Sequence, residues 1–377
     1  MWFFIFGAIT LAAVLGNIYL VSRFARFSIV HRVAKGRKIV RCIIGVVLVI
    51  LLFSGTWAGL GAINAMLVII HLMVIWLLCD GVNCIVKKRR KVSSNKYYAG
   101  AFALVLTAVY LIFGWYFAHH VWRTEYVLTT DKQVGNLRIV LISDSHVGST
   151  FHGEGFAGHI KTIQSENPDI VVVAGDFIDD DTTKEDMIAA CEALGTLQTT
   201  FGVYYAFGNH DKGYYGPEFR GYSGDDLIAE LEKNHVVVLQ DETVLLDDRF
   251  YLIGRQDRSE EHGAGSRASM AELVSGLDPD KYSIVLDHQP SDYKAQTASG
   301  VDLVLSGHTH GGQLFPMNYM GSWTGIDDKT YGLEKRENTN FIVTSGISDW
   351  AIKFKTGCRS EYVVIDVKEA VRGVLDN

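Results

Sequence analysis

Four apolar runs, at about residues 2–22, 39–60, 61–86 and 98–118, constrain this chain more than any other feature. Each is close to the ~20 residues that cross ~30 Å of hydrocarbon, and no Lys, Arg, Asp or Glu interrupts the centre of any of them. A single run of this kind is compatible with a buried core helix. Four in succession, separated by blocks of positive charge, point to an all-α transmembrane region over residues 1–122. The first run is long and has no basic residue before it, so it is expected to span the bilayer rather than to be a cleaved leader.

Charge divides the 377 residues at the same place. Residues 1–122 hold 13 of the 35 Lys and Arg but one acid, Asp80, so the remainder sets 22 bases against 41 of the 42 acids, giving +12 and −19. The first connector carries Arg23, Arg26, Arg32, Lys35, Arg37, Lys38 and Arg41, and the third carries Lys87, Lys88, Arg89, Arg90, Lys91 and Lys96. The second, around Ser54 to Asn64, is uncharged. Basic connectors stay cytoplasmic, and an even number of crossings returns the chain to its starting side. A multi-pass cell-membrane protein is therefore expected, with its amino terminus and a domain at 123–377 both extracytoplasmic. Trp2, Trp57, Trp76, Trp115 and Trp122 fall at or near span ends, as the rings of an interfacial belt would. Asp80 is read as a partner for nearby bases, and Asn64, His71 and Asn83 as links between helices.

Aromatic residues at 11% and only five prolines exclude a collagenous or disordered chain. With Cys42, Cys79 and Cys84 in the membrane region, only Cys191 and Cys358 remain outside, too few for a disulfide framework. Nucleic acid is not an expected partner, because a domain at −19 lacks the basic stripe that a phosphate backbone requires.

From about Leu137 the pattern changes to short β-branched runs that end in polar loops. LRIVLISD is a strand finishing at Asp144, and PDIVVVAGD is a buried strand finishing at Asp176. Helical stretches at about Gly155–Glu166 and Lys184–Thr199 alternate with them. GVYYAFGNHD ends in Asn209 and His210, YSIVLDHQP in His288, and VDLVLSGHTHGG in His308 and His310. Strands that alternate with helices and present polar residues at their carboxyl ends are how α/β folds assemble sites. A lone His or Asp there commonly just satisfies hydrogen bonds; five strand ends bearing Asp, Asn or His match the donor set of divalent metals.

The segments DSH at 144–146, GDFID at 175–179, GNHD at 208–211, the isolated His288 and GHTH at 307–310 resemble, in order and spacing, the five blocks of the calcineurin-like metallophosphoesterases. GHTHGGQLFP at 307–316 and SGISDW…CRSEYVV near the carboxyl end look like its membrane-anchored branch, the transmembrane proteins with a metallophosphoesterase domain. The resemblance covers roughly residues 137–368 and implies a four-layer αββα sandwich with two mixed sheets. It assigns Asp144, His146, Asp176 and His310 to one divalent cation and Asp176, Asn209, His288 and His308 to another, with Asp176 shared. Mn²⁺ is the expected ion, with Fe or Zn²⁺ as alternatives. A shared carboxylate makes chemical sense, because two cations about 3.5–4 Å apart need an anion between them, and a water held there becomes a nucleophile near neutral pH.

The resemblance also places His210 at the rim, where it can stabilise the transferring phosphoryl group and protonate the leaving oxygen. Asp211 either orients His210 or caps the loop. Gly175, Gly208 and Gly307 precede ligands, where a Cβ would crowd the turn or the metal. Ser145 occupies a position often taken by a bulky apolar residue. Asp179 is expected to support the ligands, and Asp180 and Asp181 to belong to a solvated loop. His152, His159, His235 and His262 match no motif position and are expected to be structural or surface residues.

The first motif follows the last run by ~20 residues, so a tethered site would stay close to head groups. This favours a phosphorylated lipid or lipid-linked molecule as substrate, cleaved at a phosphoester or pyrophosphate bond. KGYYGPEFRGY at 212–222 is either a lid facing lipid or a turn-rich surface loop. A transporter or receptor subunit whose outer domain only binds a phosphorylated ligand is the alternative function.

Overall fold

The computed structural model describes residues 2–90, 97–262 and 265–370, and it divides into two compact units. Lys91 and Lys96 of the third basic connector lie outside the described residues.

The first unit comprises Met1–Trp115 with Ala351–Lys353. Its long helices are α1 (Trp2–Phe24), α3 (Lys38–Leu60), α4 (Ala62–Arg90) and α5 (Tyr98–His119), each long and apolar enough to cross a membrane. A short α2 (Ser28–Val33) breaks the first basic connector. Helices α1 and α3 approach closely at Gly45, where a Cβ would lie 2.6 Å from the Val21 carbonyl oxygen. Asp80 is the partner for bases expected of it. It meets Arg23 Nε at 2.8 Å and accepts from the hydroxyls of Tyr19 (3.2 Å) and Tyr97 (2.7 Å). His71 bonds the Leu67 carbonyl of its own helix at 2.7 Å, and the Asn64 amide donates to Leu60 and Ala351 carbonyls. Trp76 departs from the expected belt. It is fully buried, packs edge-on against Phe24 and Phe27, and donates its indole N–H to the Tyr97 hydroxyl at 2.8 Å. Trp57 and Trp115 are exposed.

The second unit comprises Tyr116–Trp350 and Phe354–Asn377 and contains two six-stranded mixed sheets. One sheet runs β1 (Trp122–Thr130), β12 (Glu361–Glu369), β2 (Asn136–Ile142), β3 (Ile170–Ala174), β4 (Val203–Ala206) and β5 (Val236–Leu239). The other runs β10 (Gly332–Arg336), β11 (Thr339–Val343), β9 (Leu303–Ser306), β8 (Tyr282–Leu286), β7 (Phe250–Gly254) and β6 (Glu242–Leu246). Strands β2 to β5 are parallel, as are β7, β8, β9 and β11, while β12 pairs antiparallel with β2 and β10 with β11.

Alternation along each strand builds the layers. Ile139 and Leu141 of β2 join Val172, Leu252, Ile284, Leu305 and Ile342 in the core between the sheets. Their neighbours Val140 and Ile142 face outward into a second core with α6 (Gly153–Gln164), α7 (Lys184–Gly195) and α9 (Gly224–Lys233). A third core joins Ile253, Val285 and Val304 to α10 (Met270–Leu273) and α11 (Tyr293–Ala298). Helix, sheet, sheet and helix make the four layers. Two shorter helices, α8 (Pro217–Arg220) and α12 (Met320–Thr324), lie in loops beyond the carboxyl ends of the strands.

Candidate metal centre

Five parallel strands deliver the polar residues. Asp144 and His146 follow β2, Asp176 follows β3, Asn209 and His210 follow β4, His288 follows β8, and His308 and His310 follow β9. Registers that pair Ile142 with Val173, Ala174 with Ala206 and Leu286 with Leu305 bring each sheet's strands to an end at a common level. Backbone bonds then stitch the loops together: Asp144 N–H to Gly175 O (3.0 Å), His146 N–H to Asp176 O (3.1 Å) and Gly307 N–H to His288 O (3.0 Å).

The packing is tight enough to force the glycine at 208, where a Cβ would fall 2.3 Å from Asp176 Oδ1. The expected ligands bear the cost in their own backbones. Asp144, His146, Asp176, His308 and His310 all hold positive φ, between 37° and 68°, a region in which a non-glycine residue costs of order 1–3 kcal/mol.

Two clusters result. Ligand atoms of Asp144, His146 and His310 lie within 4.8 Å of one another, and so do those of Asp176, His288 and His308. Asp176 Oδ2 stands 3.0 Å from His288 Nε2 and 3.7 Å from His146 Nε2, so one oxygen faces both clusters. The other oxygen, Oδ1, accepts the His210 backbone N–H at 2.9 Å. Asp144 accepts the His308 N–H at 2.9 Å, and its Oδ1 lies 3.6 Å from His310 Nε2.

Whether these residues suit a cation can be tested on their unsatisfied atoms. His146 Nε2, His288 Nε2, His308 Nδ1, His310 Nδ1 and Asn209 Oδ1 are buried without a hydrogen-bond partner; His288 Nε2 is close to Asp176 but not aligned as a donor. Buried polar atoms are rarely left unpaired, and unpaired nitrogens on four histidines of the two clusters, with the Asn209 carbonyl oxygen, fit a pair of divalent cations. Neighbours aim these atoms. His288 Nδ1 donates to the Ala174 carbonyl at 2.7 Å, which leaves Nε2 as the lone pair. Asn209 Nδ2 donates to the Tyr214 hydroxyl at 2.7 Å, which leaves Oδ1 as the free acceptor. Asp179 Oδ2 stands 3.3 Å from His146 Nδ1.

The charges agree with this reading. Burial works against ionisation of Asp176, but His288 and then His146 and His210 outweigh it and hold the carboxyl well below its usual range. Burial and the neighbouring His288 bring His308 down to about 4, and burial with His146 lowers His310 well below its ordinary value, so both offer lone pairs. Burial also lowers His288, yet the Asp176 carboxylate raises it well above its ordinary value. The carboxylate that favours positive charge at His288 would equally favour a cation beside it.

His210 sits at the rim, half-buried, with ring contacts to His146 (5.0 Å), Tyr214 (5.0 Å) and Trp350 (5.5 Å). Asp211 does not orient it. Its carboxylate accepts four backbone N–H groups, from Asp176 (3.0 Å), Phe177 (2.8 Å), Ile178 (3.1 Å) and Gly208 (2.6 Å), and so clamps the loop after β3 to the loop after β4. The capping alternative is the one the structure contains.

Asp180 is a further difference from expectation. It accepts the N–H groups of Tyr214 (3.0 Å) and Tyr215 (3.2 Å), and so holds the aromatic loop that reaches Asn209. The acidity of the run at 179–181 was its only signal in the sequence. A fully buried Lys355 donates to the Ser345 and Ser348 carbonyls and meets Asp349 at 3.4 Å, while Gln313 Nε2 donates to Asp349 at 3.1 Å. Behind His288, buried Asp287 pairs with Arg255 (2.8 Å) and Arg267 (2.5 Å). No motif marks either arrangement. The histidines outside the motifs are peripheral: His152 pairs with Asp186 at 2.8 Å, His159 packs on Phe151, and His235 is exposed. The side chain of His262 lies outside the described residues. Cys191 and Cys358 are free.

Comparison with known proteins agrees with this geometry. The sequence model of the calcineurin-like phosphoesterases matches residues 137–312, the span from β2 to the glycines after His310. An uncharacterized metallophosphoesterase of Campylobacter jejuni is 30% identical over 276 residues, 71% of this chain and 69% of that protein. One from Aquifex aeolicus is 32% identical over 199 residues, 52% of this chain and 72% of that protein. A transmembrane protein with metallophosphoesterase domain from Danio rerio is 30% identical over 293 residues, covering 74% of this chain and 65% of that relative, just under two thirds of its length. With His and Asp clusters at the ends of parallel strands, a family model matched over residues 137–312 and metallophosphoesterase relatives 30–32% identical over 69–72% of their own length, this chain belongs to the calcineurin-like phosphoesterase family.

Proposed function

We infer that the chain is a membrane-anchored dinuclear phosphohydrolase with an extracytoplasmic site, cleaving a phosphoester or pyrophosphate bond in a lipid or lipid-linked substrate. The observation that carries the chemistry is Asp176 Oδ2, which faces His288 and His146 of the two clusters while their remaining lone pairs go unsatisfied. Asp144, His146, Asp176 and His310 would hold one cation, and Asp176, Asn209, His288 and His308 would hold the other. Two divalent ions, Mn²⁺ foremost, supply Lewis acidity toward phosphoryl oxygens and activate water when bound.

The chain's own residues do the rest. Asp176 fixes the His210 backbone through Oδ1, which leaves the imidazole at the rim to hydrogen-bond a phosphoryl oxygen and to hand a proton to the leaving oxygen. Tyr214 keeps the Asn209 amide turned so that its carbonyl oxygen faces inward. Asp211 and Asp180 hold the two loops in register without touching substrate. Sidedness rests on the bases of the first and third connectors, and the lipid substrate on a short tether between the last apolar helix and β1.

The test uses the full chain in detergent, stripped of metal and reloaded with Mn²⁺. It is expected to hydrolyse an aryl phosphate or a bis-aryl phosphodiester. Asp176→Ala or Asn209→Ala abolishes turnover, and His210→Gln lowers kcat by about 10²–10⁴, least for substrates with acidic leaving groups that need no proton. Equal turnover by wild type and Asp176→Ala would refute the assignment.

A further inference from the structure

The loop that bears His308 and His310 runs on into a stretch without a single charged side chain, residues 315–326, FPMNYMGSWTGI. Phe315, Met317, Tyr319, Met320, Trp323 and Ile326 are all exposed, Trp323 to 75%. This exposure is built rather than frayed. The Phe315 N–H donates to Thr356 Oγ1 at 3.1 Å, and the Gln313 carbonyl accepts from Thr356 and Gly357 at 2.9 and 3.0 Å. At the far end Asp328 N–H donates to the Pro290 carbonyl at 2.8 Å, and the Thr309 hydroxyl donates to the Thr330 carbonyl at 2.6 Å. Between these anchors a 3₁₀ turn at Met317–Tyr319 leads into α12, and the Tyr319 and Trp323 rings stack at 5.6 Å.

Six large apolar side chains held out by a pinned backbone need a partner. A second copy of the chain fits poorly: at about 200 Å² per large side chain, half exposed, the face offers on the order of 600 Å², short of the ~800 Å² per partner of a stable interface. A charged macromolecule finds nothing in the segment to pair with. The membrane interface fits, because Trp, Tyr, Phe and Met on an uncharged segment are the residues that settle among head groups. Four helices long and apolar enough to cross a membrane keep a bilayer permanently at hand. Ser322, Gly325 and Ile326 of the same segment also line a cleft of about 540 Å³, together with Arg258, Ser291, Asp327, Asp328 and Arg336.

We propose that residues 315–326 form an interfacial segment that inserts into the lipid head-group layer beside the metal centre and admits lipid-borne substrate to it. The proposal rests on the membrane-anchored reading above and names the surface that reading leaves open. Because the segment carries no charged side chain, its insertion is driven by apolar burial and gains nothing from anionic lipid or from low salt.

The experiment reconstitutes the full chain into phosphatidylcholine nanodiscs, photolabels it with a carbene precursor confined to the bilayer, and maps the labelled peptides. Labelling is expected in the four long helices and also in the peptide containing 315–326, unchanged at high salt. Met320→Asp with Trp323→Asp is expected to lower labelling of that peptide by at least roughly fivefold while leaving hydrolysis of a soluble aryl diester unchanged, which certifies folding. A segment unlabelled while the helices label overturns the proposal, whether the nanodiscs hold one chain or two; a segment unlabelled only when they hold two marks a dimer contact and overturns it as well. Failure of aryl hydrolysis in wild type would instead strike the phosphohydrolase reading and leave the labelling result standing.

Discussion

Asp80 and Asp176 are both carboxylates largely withdrawn from solvent, and their surroundings are built in opposite ways. Around Asp80 the neutralising charge and the donors are already in place: the Arg23 guanidinium forms an ion pair at 2.8 Å, and the hydroxyls of Tyr19 and Tyr97 donate. Around Asp176 the neighbours are imidazoles whose lone pairs, like the Asn209 carbonyl oxygen, have no partner. The first acid is neutralised by the fold itself. The second accepts one backbone N–H, from His210, and otherwise faces imidazole nitrogens, a setting that a positive charge brought in from outside would stabilise. A structural ion pair and a metal site can thus be told apart by whether the partners of the acid donate or accept.

The contrast is most exposed to failure in stability against metal. Adding Mn²⁺ to the stripped full chain at a hundredfold excess over Kd contributes about 2.7 kcal/mol per site, about 5 kcal/mol for two, or roughly 10 °C in the thermal midpoint. Asp176→Ala is expected to lose most of that shift. Asp80→Asn starts from a lower midpoint, because it strands Arg23, but keeps the whole shift. If Asp80→Asn lost the metal-induced rise as fully as Asp176→Ala, the distinction between donor-lined and acceptor-lined acids would fail for this protein.

The same distinction explains what the sequence could show. Asp144, His146, Asp176, Asn209, His288, His308 and His310 were legible because each follows a short β-branched run, and a strand end fixes where the next few residues lie. The long apolar helices were legible because hydropathy over twenty residues is a local property. Asp211 was not: whether its carboxylate turns toward His210 or onto the N–H groups of 176–178 depends on how the loops after β3 and β4 meet. Trp76 looked interfacial by its place near a span end, but Phe24 at the end of α1, Phe27 in the first connector and Tyr97 just before α5 pack around it. Strand β1 went unread because its exposure alternates almost throughout, with a single fully buried residue, Leu128, and nothing before Leu137 resembles the runs that carry ligands. Lys355, buried beside Asp349, sits in no periodic pattern at all.

A middle-sized effect sharpens the comparison within the site. Tyr214→Phe removes only the hydroxyl that accepts from Asn209 Nδ2, and the phenyl ring keeps its edge contact with His210. Asn209 is then free to turn its amide, so one of two Mn²⁺-binding steps should weaken by about tenfold in calorimetric titration of the stripped chain while the other is unchanged. Two unchanged steps would mean that the hydroxyl only packs the loop; two equally weakened steps would mean that it supports the whole centre.

Asp366 supplies the third kind of acid, paired at the surface, and the smallest effect. It lies directly opposite Arg138 across β12 and β2, and the guanidinium grips both carboxylate oxygens, at 2.8 and 2.9 Å. The Arg138 hydrogen bonds hold its carboxyl below the ordinary range, against a modest opposing push from burial. A carboxyl lowered by folding stabilises the protein above its unfolded pKa of about 3.9, and that contribution disappears as pH falls through the lower folded value. Partial exposure of both side chains limits the pair to less than about 1 kcal/mol. Asp366→Asn should therefore lower the thermal midpoint by no more than about 4 °C at pH 7, and the gap between variant and wild type should close only in the acid region below about pH 4. A gap that persists after the carboxyl is protonated would show that shape, rather than charge, joins these strands. Such a result would also remove the surface pair from the comparison, and leave donors at Asp80 and acceptors at Asp176 as its two poles.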